Sequence, residues 1–141
     1  MLFYTHLTFA FLVGLVFMPA QIIWVMLGAL IPDIDNPSSK INNTLKLTKI
    51  FGYAFKHRGF CHSVWFGIIV FLFFQWLIPK YALGIFLGFI SHIVLDGLTS
   101  SGIQYFYPLK SLNLKGFIAT GSIGEKLVLG LIVFVIIIKL F

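Results

Sequence analysis

The chain has 141 residues, of which 60% are hydrophobic and only 10% charged, with 17 Phe and 3 Trp and a mean hydropathy of +1.03. A soluble domain of this size cannot bury so much apolar surface, so the composition excludes an ordinary water-soluble protein and describes one membrane-embedded domain over residues 1–141. The formal charge of +6 comes from 10 Lys and Arg against 4 acids, and because these cations are spread through loops and helix ends rather than gathered in a stripe, they suit membrane lipid and disfavour nucleic acid as a partner.

The first apolar segment, 2–18, has the look of a signal peptide, but no basic stretch precedes it and no small-x-small cleavage pattern follows, so it is read as structure. The segments 20–31, 64–78, 81–95 and 127–141 are apolar in the same way. Each falls short of the usual span of about 20 residues, giving helices of about 18 to 25 Å against a hydrocarbon core of roughly 30 Å. Pro19 and Pro79 mark tight connections, because proline removes a helix donor and biases the residue before it away from helix. Two polar loops, 32–63 and 97–126, separate the apolar hairpins. The expected fold is therefore all-α: an integral membrane bundle of about five short helices.

The topology turns on residues 2–31. As one helix they would set His6 about 40 Å from Asp33, on opposite faces of a membrane. A hairpin at Pro19 returns both to one face, and the remaining segments then bring the same face Asp33, Asp35, His57, His62, His92, Asp96 and Glu125. Lys40, Lys46, Lys49, Lys56, Arg58, Lys110, Lys115 and Lys126 share that side, whereas Lys80 and Lys139 lie on the other, so the positive-inside rule makes the polar site cytoplasmic.

All four acids and all four histidines thus fall at the ends of apolar runs. In Ile31-Pro32-Asp33-Ile34-Asp35, an extended stretch would point both carboxylates the same way, and a cation between them relieves their repulsion; a polar turn that stops a helix explains the same residues. His92 and Asp96 are four apart in a helical run and can converge on one ion, or make a structural His-Asp hydrogen bond. His57 and His62 diverge on a continuous helix, but Gly59 permits a bend between them. Ser63 is better explained as the cap of the next helix than as a nucleophile. Arg58 suits a phosphate clamp as well as a topology-setting charge. His6 and Glu125 are weak signals alone and gain weight from the topology. Cys61 lacks a CxxC partner and is read as a small buried side chain; a single cysteine also excludes an internal disulfide.

These blocks resemble the YdjM-like family of inner-membrane metal-dependent hydrolases: Thr5-His6; Leu30-Ile31-Pro32-Asp33-Ile34-Asp35-Asn36-Pro37-Ser38; His57-Arg58-Gly59-Phe60-Cys61-His62-Ser63; and Gly88-Phe89-Ile90-Ser91-His92-Ile93-Val94-Leu95-Asp96, followed by Leu98-Thr99 and Gly102. The chain departs from the family pattern at Asn36, where members often carry His, and at Cys61, where they carry Thr. The family is grouped with the all-helical zinc phospholipase C and single-strand nuclease superfamily. The resemblance implies a multinuclear zinc site that hydrolyses phosphoesters.

The expectation is a multi-pass protein of the inner membrane with two or three divalent ions, zinc by donor type, held by His6, Asp33, Asp35, His57, His62, His92 and Asp96. Arg58 and Glu125 are the expected catalytic residues, and the substrate is a small-molecule or lipid phosphoester cleaved by metal-activated water. Two rivals use the same residues: a cation or proton carrier, and a non-catalytic protein whose metal only ties helices together.

Overall fold

The computed structural model describes residues 1–35, 59–109 and 113–141, with the backbone alone at Asp35 and Asn113. Among the described residues five α-helices carry the fold: α1 (Phe3–Phe17), α2 (Ile22–Gly28), α3 (Val64–Leu77), α4 (Pro79–Gly97) and α5 (Ile123–Leu140). The expected all-α architecture is what is observed, with one addition in the second polar loop. There β1 (Ile103–Gln104) pairs antiparallel with β2 (Asn113–Leu114), and Thr99 bridges to Ile118.

Two prolines build the hairpins. Met18 (φ −144°, ψ 63°) and Ile78 (φ −143°, ψ 66°) leave the helical region in nearly the same conformation, because the proline that follows each disfavours helix there. Each still closes its helix, Met18 N–H on the Gly14 carbonyl at 2.9 Å and Ile78 N–H on the Phe74 carbonyl at 2.8 Å. The proline then opens the returning helical segment, where its missing N–H would have had no partner anyway. Residues 2–31 therefore double back, as the grouping of the polar residues required.

Helix boundaries differ from the sequence expectation in two places. The second segment is not one helix over 20–31: a 3₁₀ turn (Pro19–Gln21) precedes α2, which ends early as Leu30 and Ile31 bond three residues back ahead of Pro32. In the other direction, α4 runs 19 residues instead of 81–95, and among the described residues it is the one helix long and apolar enough to cross a membrane. Ser63 caps α3 as expected, its hydroxyl accepting from Phe66 N–H at 3.2 Å while donating to the Phe60 carbonyl at 2.7 Å.

The packing is inverted relative to a soluble protein. Large apolar side chains face outward along every helix, Phe17, Ile23, Trp76, Leu83, Leu131 and Phe134 among them, while Thr5, His6, His62, Ser91, His92, Asp96, Thr99 and Glu125 are buried. Among the described residues the apolar interior is split into three small clusters, around Ala10, Val25 and Ala29, around Phe89, Ile93 and Ile103, and around Met1, Leu95 and Ile118. A bundle that hides its polar groups and exposes its apolar ones is matched to hydrocarbon, not to water.

The helices that matter most for the site are α2 and α4. They cross backbone to backbone at Gly28 and Gly88: a methyl on Gly28 would overlap the Ile85 carbonyl, and one on Gly88 would overlap the Val25 carbonyl. Small residues permit this approach in lipid, where helices associate by close contact and interhelical hydrogen bonds.

Candidate metal centre

The hairpins deliver five imidazole and carboxylate side chains from four elements to one end of the bundle. His6 comes from the first turns of α1, Asp33 from a 3₁₀ turn (Pro32–Asp35) after α2, His62 from a 3₁₀ turn (Phe60–His62) before α3, and His92 with Asp96 from one face of α4. Two groups of three donors result, His6, His92 and Asp96 in one and Asp33, His62 and His92 in the other, with the ligand atoms of each within 4.8 Å of one another.

Asp96 is the hub. Its Oδ1 lies 3.1 Å from His6 Nε2 and 2.6 Å from the Met1 amino group, while Oδ2 stands 3.7 Å from His62 Nε2 and 3.8 Å from His92 Nε2. Asp33 Oδ1 faces the same two rings at 4.0 and 3.9 Å. Those four longer separations exceed hydrogen-bond range. They are close to what two ligands of one ion require, since donors about 2.1 Å from a tetrahedral zinc sit about 3.4 Å apart.

The orientation of His92 is set by the glycine crossing. With α2 pressed against α4, the Ala29 carbonyl comes within 2.7 Å of His92 Nδ1, so Nδ1 carries the proton and Nε2 presents its lone pair to the carboxylates. His92 Nε2 and His6 Nδ1 are buried with no hydrogen-bond partner among the described residues. The His6 ring stacks on His92 at 3.8 Å, and His62 meets His92 edge-on at 5.4 Å. A buried imidazole nitrogen with its lone pair turned to carboxylates, and further imidazoles around it, are the donor set of a zinc-type site, so the residues present fit a divalent ion. A single His92 Nε2 serves one ion at a time, so the two groups cannot both be filled through it.

Burial within the site is uneven. The side chains of His6, His62, His92 and Asp96 are 0–3% exposed, whereas Asp33 is 19% exposed. Among the described residues, solvent therefore reaches the centre on the Asp33 side.

Three further hydroxyls support the centre, two through bonds within a turn of α4 and its end and one from the loop that follows. The Thr99 hydroxyl donates to the Asp96 carbonyl at 2.7 Å and Ser91 to the Gly88 carbonyl at 2.7 Å, holding the end of α4. The Tyr105 hydroxyl donates to the Ile93 carbonyl at 3.1 Å, and burial, helped by the Asp96 charge, pushes its phenol pKa up, so it stays a donor.

Glu125, expected beside the cluster as a catalytic residue, is not brought into it. One oxygen accepts from Leu2 N–H and the Thr5 hydroxyl at 2.5 and 2.8 Å, and the other from Gly121 N–H at 2.6 Å, so it ties the start of α1 to the start of α5. E125Q would turn an amide N–H toward one of these donors, a loss of about 1 to 3 kcal/mol for a buried polar group left unpaired. The expected outcome is a lower thermal midpoint in detergent with metal content retained; lost metal with an unchanged midpoint would place Glu125 in the site instead. Of the other expected residues, His57 and Arg58 lie outside the described residues, as does the Asp35 side chain.

A 39% identical stretch of 106 residues covers 72% of this chain and 66% of the uncharacterized protein YvsG of Bacillus subtilis. The inner membrane proteins YdjM of Escherichia coli and Shigella flexneri are each 39% identical over 93 residues, 60% of this chain and 47% of theirs. The chain thus spans less than two thirds of the length of these curated relatives. No solved structure matches it. The model of the YdjM inner membrane protein family matches residues 1–140, and the chain, with its buried His/Asp centre in an inside-out helical bundle, belongs to that family of membrane proteins.

Proposed function

We propose that this protein is a multi-pass membrane-bound hydrolase that uses a divalent metal, zinc by donor chemistry, to cleave a phosphoester at the cytoplasmic face. The observation that carries the reading is the pair of donor groups meeting at His92, with His92 Nε2 and His6 Nδ1 buried and without hydrogen-bond partners among the described residues. Asp33, His62, His92 and Asp96 would hold the ion, with His6 against Asp96 Oδ1. When bound, such an ion supplies Lewis-acid chemistry, making water acidic enough to attack near neutral pH and neutralising charge on the departing oxygen. The chain's own contribution is to fix the donors: Ala29 sets the His92 tautomer and Asp96 spans three imidazoles. Partly exposed Asp33 marks the side from which a phosphoester approaches. Arg58 is assigned to orienting the phosphate on sequence grounds.

The buried polar side chains bear against the carrier reading. Thr5, His6, His62, Ser63, Ser91, His92, Asp96, Thr99 and Glu125 gather at one end, while buried positions away from that end, such as Ala10, Val25, Val70, Ala82 and Ile85, are apolar. A relay across the bilayer needs polar groups at every depth.

Metal analysis of the detergent-purified protein, paired with release assays on phosphodiesters and phosphomonoesters before and after chelation, tests the proposal. Bound zinc and hydrolysis that is lost on chelation and restored by zinc are expected. A metal-free protein would refute it, and retained metal without turnover on any phosphoester would favour a purely structural ion.

A further inference from the structure

The loop that joins β2 to α5 carries an unusual combination for a segment next to a polar site. In it Phe117 is 89% exposed, and at its two ends the last residue of β2, Leu114, and the first of α5, Ile123 at 75%, are exposed as well, with exposed Lys115 and Lys126 beside them. The loop is tied to the end of α4: Gly116 N–H bonds the Thr99 carbonyl at 3.0 Å, Ile118 N–H the Leu98 carbonyl at 3.2 Å, and Ser100 N–H the Ile118 carbonyl at 3.0 Å. Gly116 is required there, because a methyl would overlap the Leu98 carbonyl. An aromatic ring held out by a pinned backbone is presented to something apolar.

We propose that this loop beds in the headgroup layer of an anionic phospholipid leaflet, with Phe117 and Ile123 below the phosphates and Lys115 and Lys126 among them, and so fixes the metal centre at headgroup depth. Charge argues for the anionic leaflet: among the described residues the side chains of Asp96 and Glu125 are buried and that of Asp33 largely so, while the exposed charges, Lys80, Lys115, Lys126 and Lys139, are all positive. Apolar continuity argues for lipid rather than a protein partner. Ile123, Leu127, Leu131, Phe134 and Ile138 recur at helical spacing as an exposed stripe on α5, which starts where the loop ends. The far end of the bundle has a matching rim: Trp24 stacks on Tyr81 at 4.4 Å, Lys80 lies 5.4 Å over the Tyr81 ring, and Trp76 is 80% exposed, the composition that settles at a membrane interface. The short link from this loop through Thr99 to Asp96 then puts the donors level with lipid phosphates. The inference rests on the membrane-embedded orientation proposed above and not on catalysis.

Nitroxide labels at Phe117→Cys and, separately, Phe134→Cys in a Cys61→Ala background, reconstituted into phosphatidylcholine–phosphatidylglycerol vesicles, test it by collision with oxygen and with a water-soluble nickel chelate. Both labels should favour oxygen, with position 117 the shallower, and adding Lys115→Glu with Lys126→Glu should move label 117 toward water. A lipid-facing label at 134 with a water-facing label at 117 would overturn the loop assignment, as would a label at 117 shielded from both agents or a depth indifferent to the charge reversal. A label at 134 that is not in lipid would instead overturn the orientation on which it depends.

Discussion

Asp96→Asn is expected to strip the protein of metal while leaving its helices in place. The substitution keeps the shape of the side chain but removes the charge that faces His6 at 3.1 Å and His62 and His92 at 3.7 and 3.8 Å. Loss of a partner that only supports a metal ligand costs about 10- to 100-fold in affinity, and a carboxylate directed at the ion should cost more. The signature separates this role from a structural one. Zinc at about 1,000 times its dissociation constant would stabilise the native protein by about 4 kcal/mol, so the thermal midpoint of the unaltered protein should rise on zinc addition and that of the variant should not. Stoichiometric zinc in the purified variant, together with a normal zinc-induced shift, would show that Asp96 is not a ligand.

Gly88→Ala is the second large effect, although it touches no donor atom. Its methyl would run into the Val25 carbonyl and approach Ala29 N, so α2 must withdraw from α4. Overpacking of this kind costs about 1 to 3 kcal/mol or more when the obstacle is backbone. The withdrawal also separates the Ala29 carbonyl from His92 Nδ1, now 2.7 Å apart, and frees the imidazole to turn and change tautomer. Both the thermal midpoint and zinc affinity should fall, the latter by about 10- to 100-fold. Gly130→Ala on α5 is the matched control: a Cβ there meets nothing within 4 Å, and replacing a helical glycine should stabilise by up to about 1 kcal/mol. Equal behaviour of the two variants would show that the α2–α4 contact does not shape the site.

The interior of this protein follows an economy suited to lipid. Among the described residues its apolar clusters are small and separate, and polar contacts help to join elements distant in sequence near the site: Glu125 to Leu2 and Thr5, His92 to Ala29, Tyr105 to Ile93. Hydrocarbon offers no competing donor or acceptor, so such bonds have nothing to exchange with once formed.

Much of the architecture could be read from the chain alone. The apolar runs, the prolines at 19 and 79 and the capping Ser63 act locally, through dihedral preference and missing or added donors, so helix existence, hairpin turns and the meeting of His6 with Asp33, His62, His92 and Asp96 at one end followed from composition and order. The three-dimensional arrangement alone decided the rest. Glu125 looks like any other acid at a helix start, and only the approach of Leu2, Thr5 and Gly121 turns it from the cluster into a clasp. Gly28 and Gly88, with Gly14, Gly84 and Gly130, read in the sequence as glycines that let helices pack closely, but only the crossing shows which pair brings α2 against α4 and makes Ala29 the group that orients His92. The physical reason is range: backbone preference and hydrophobicity are written residue by residue, whereas the partner of a buried hydrogen-bonding group is chosen by which distant segment comes within 3 Å of it.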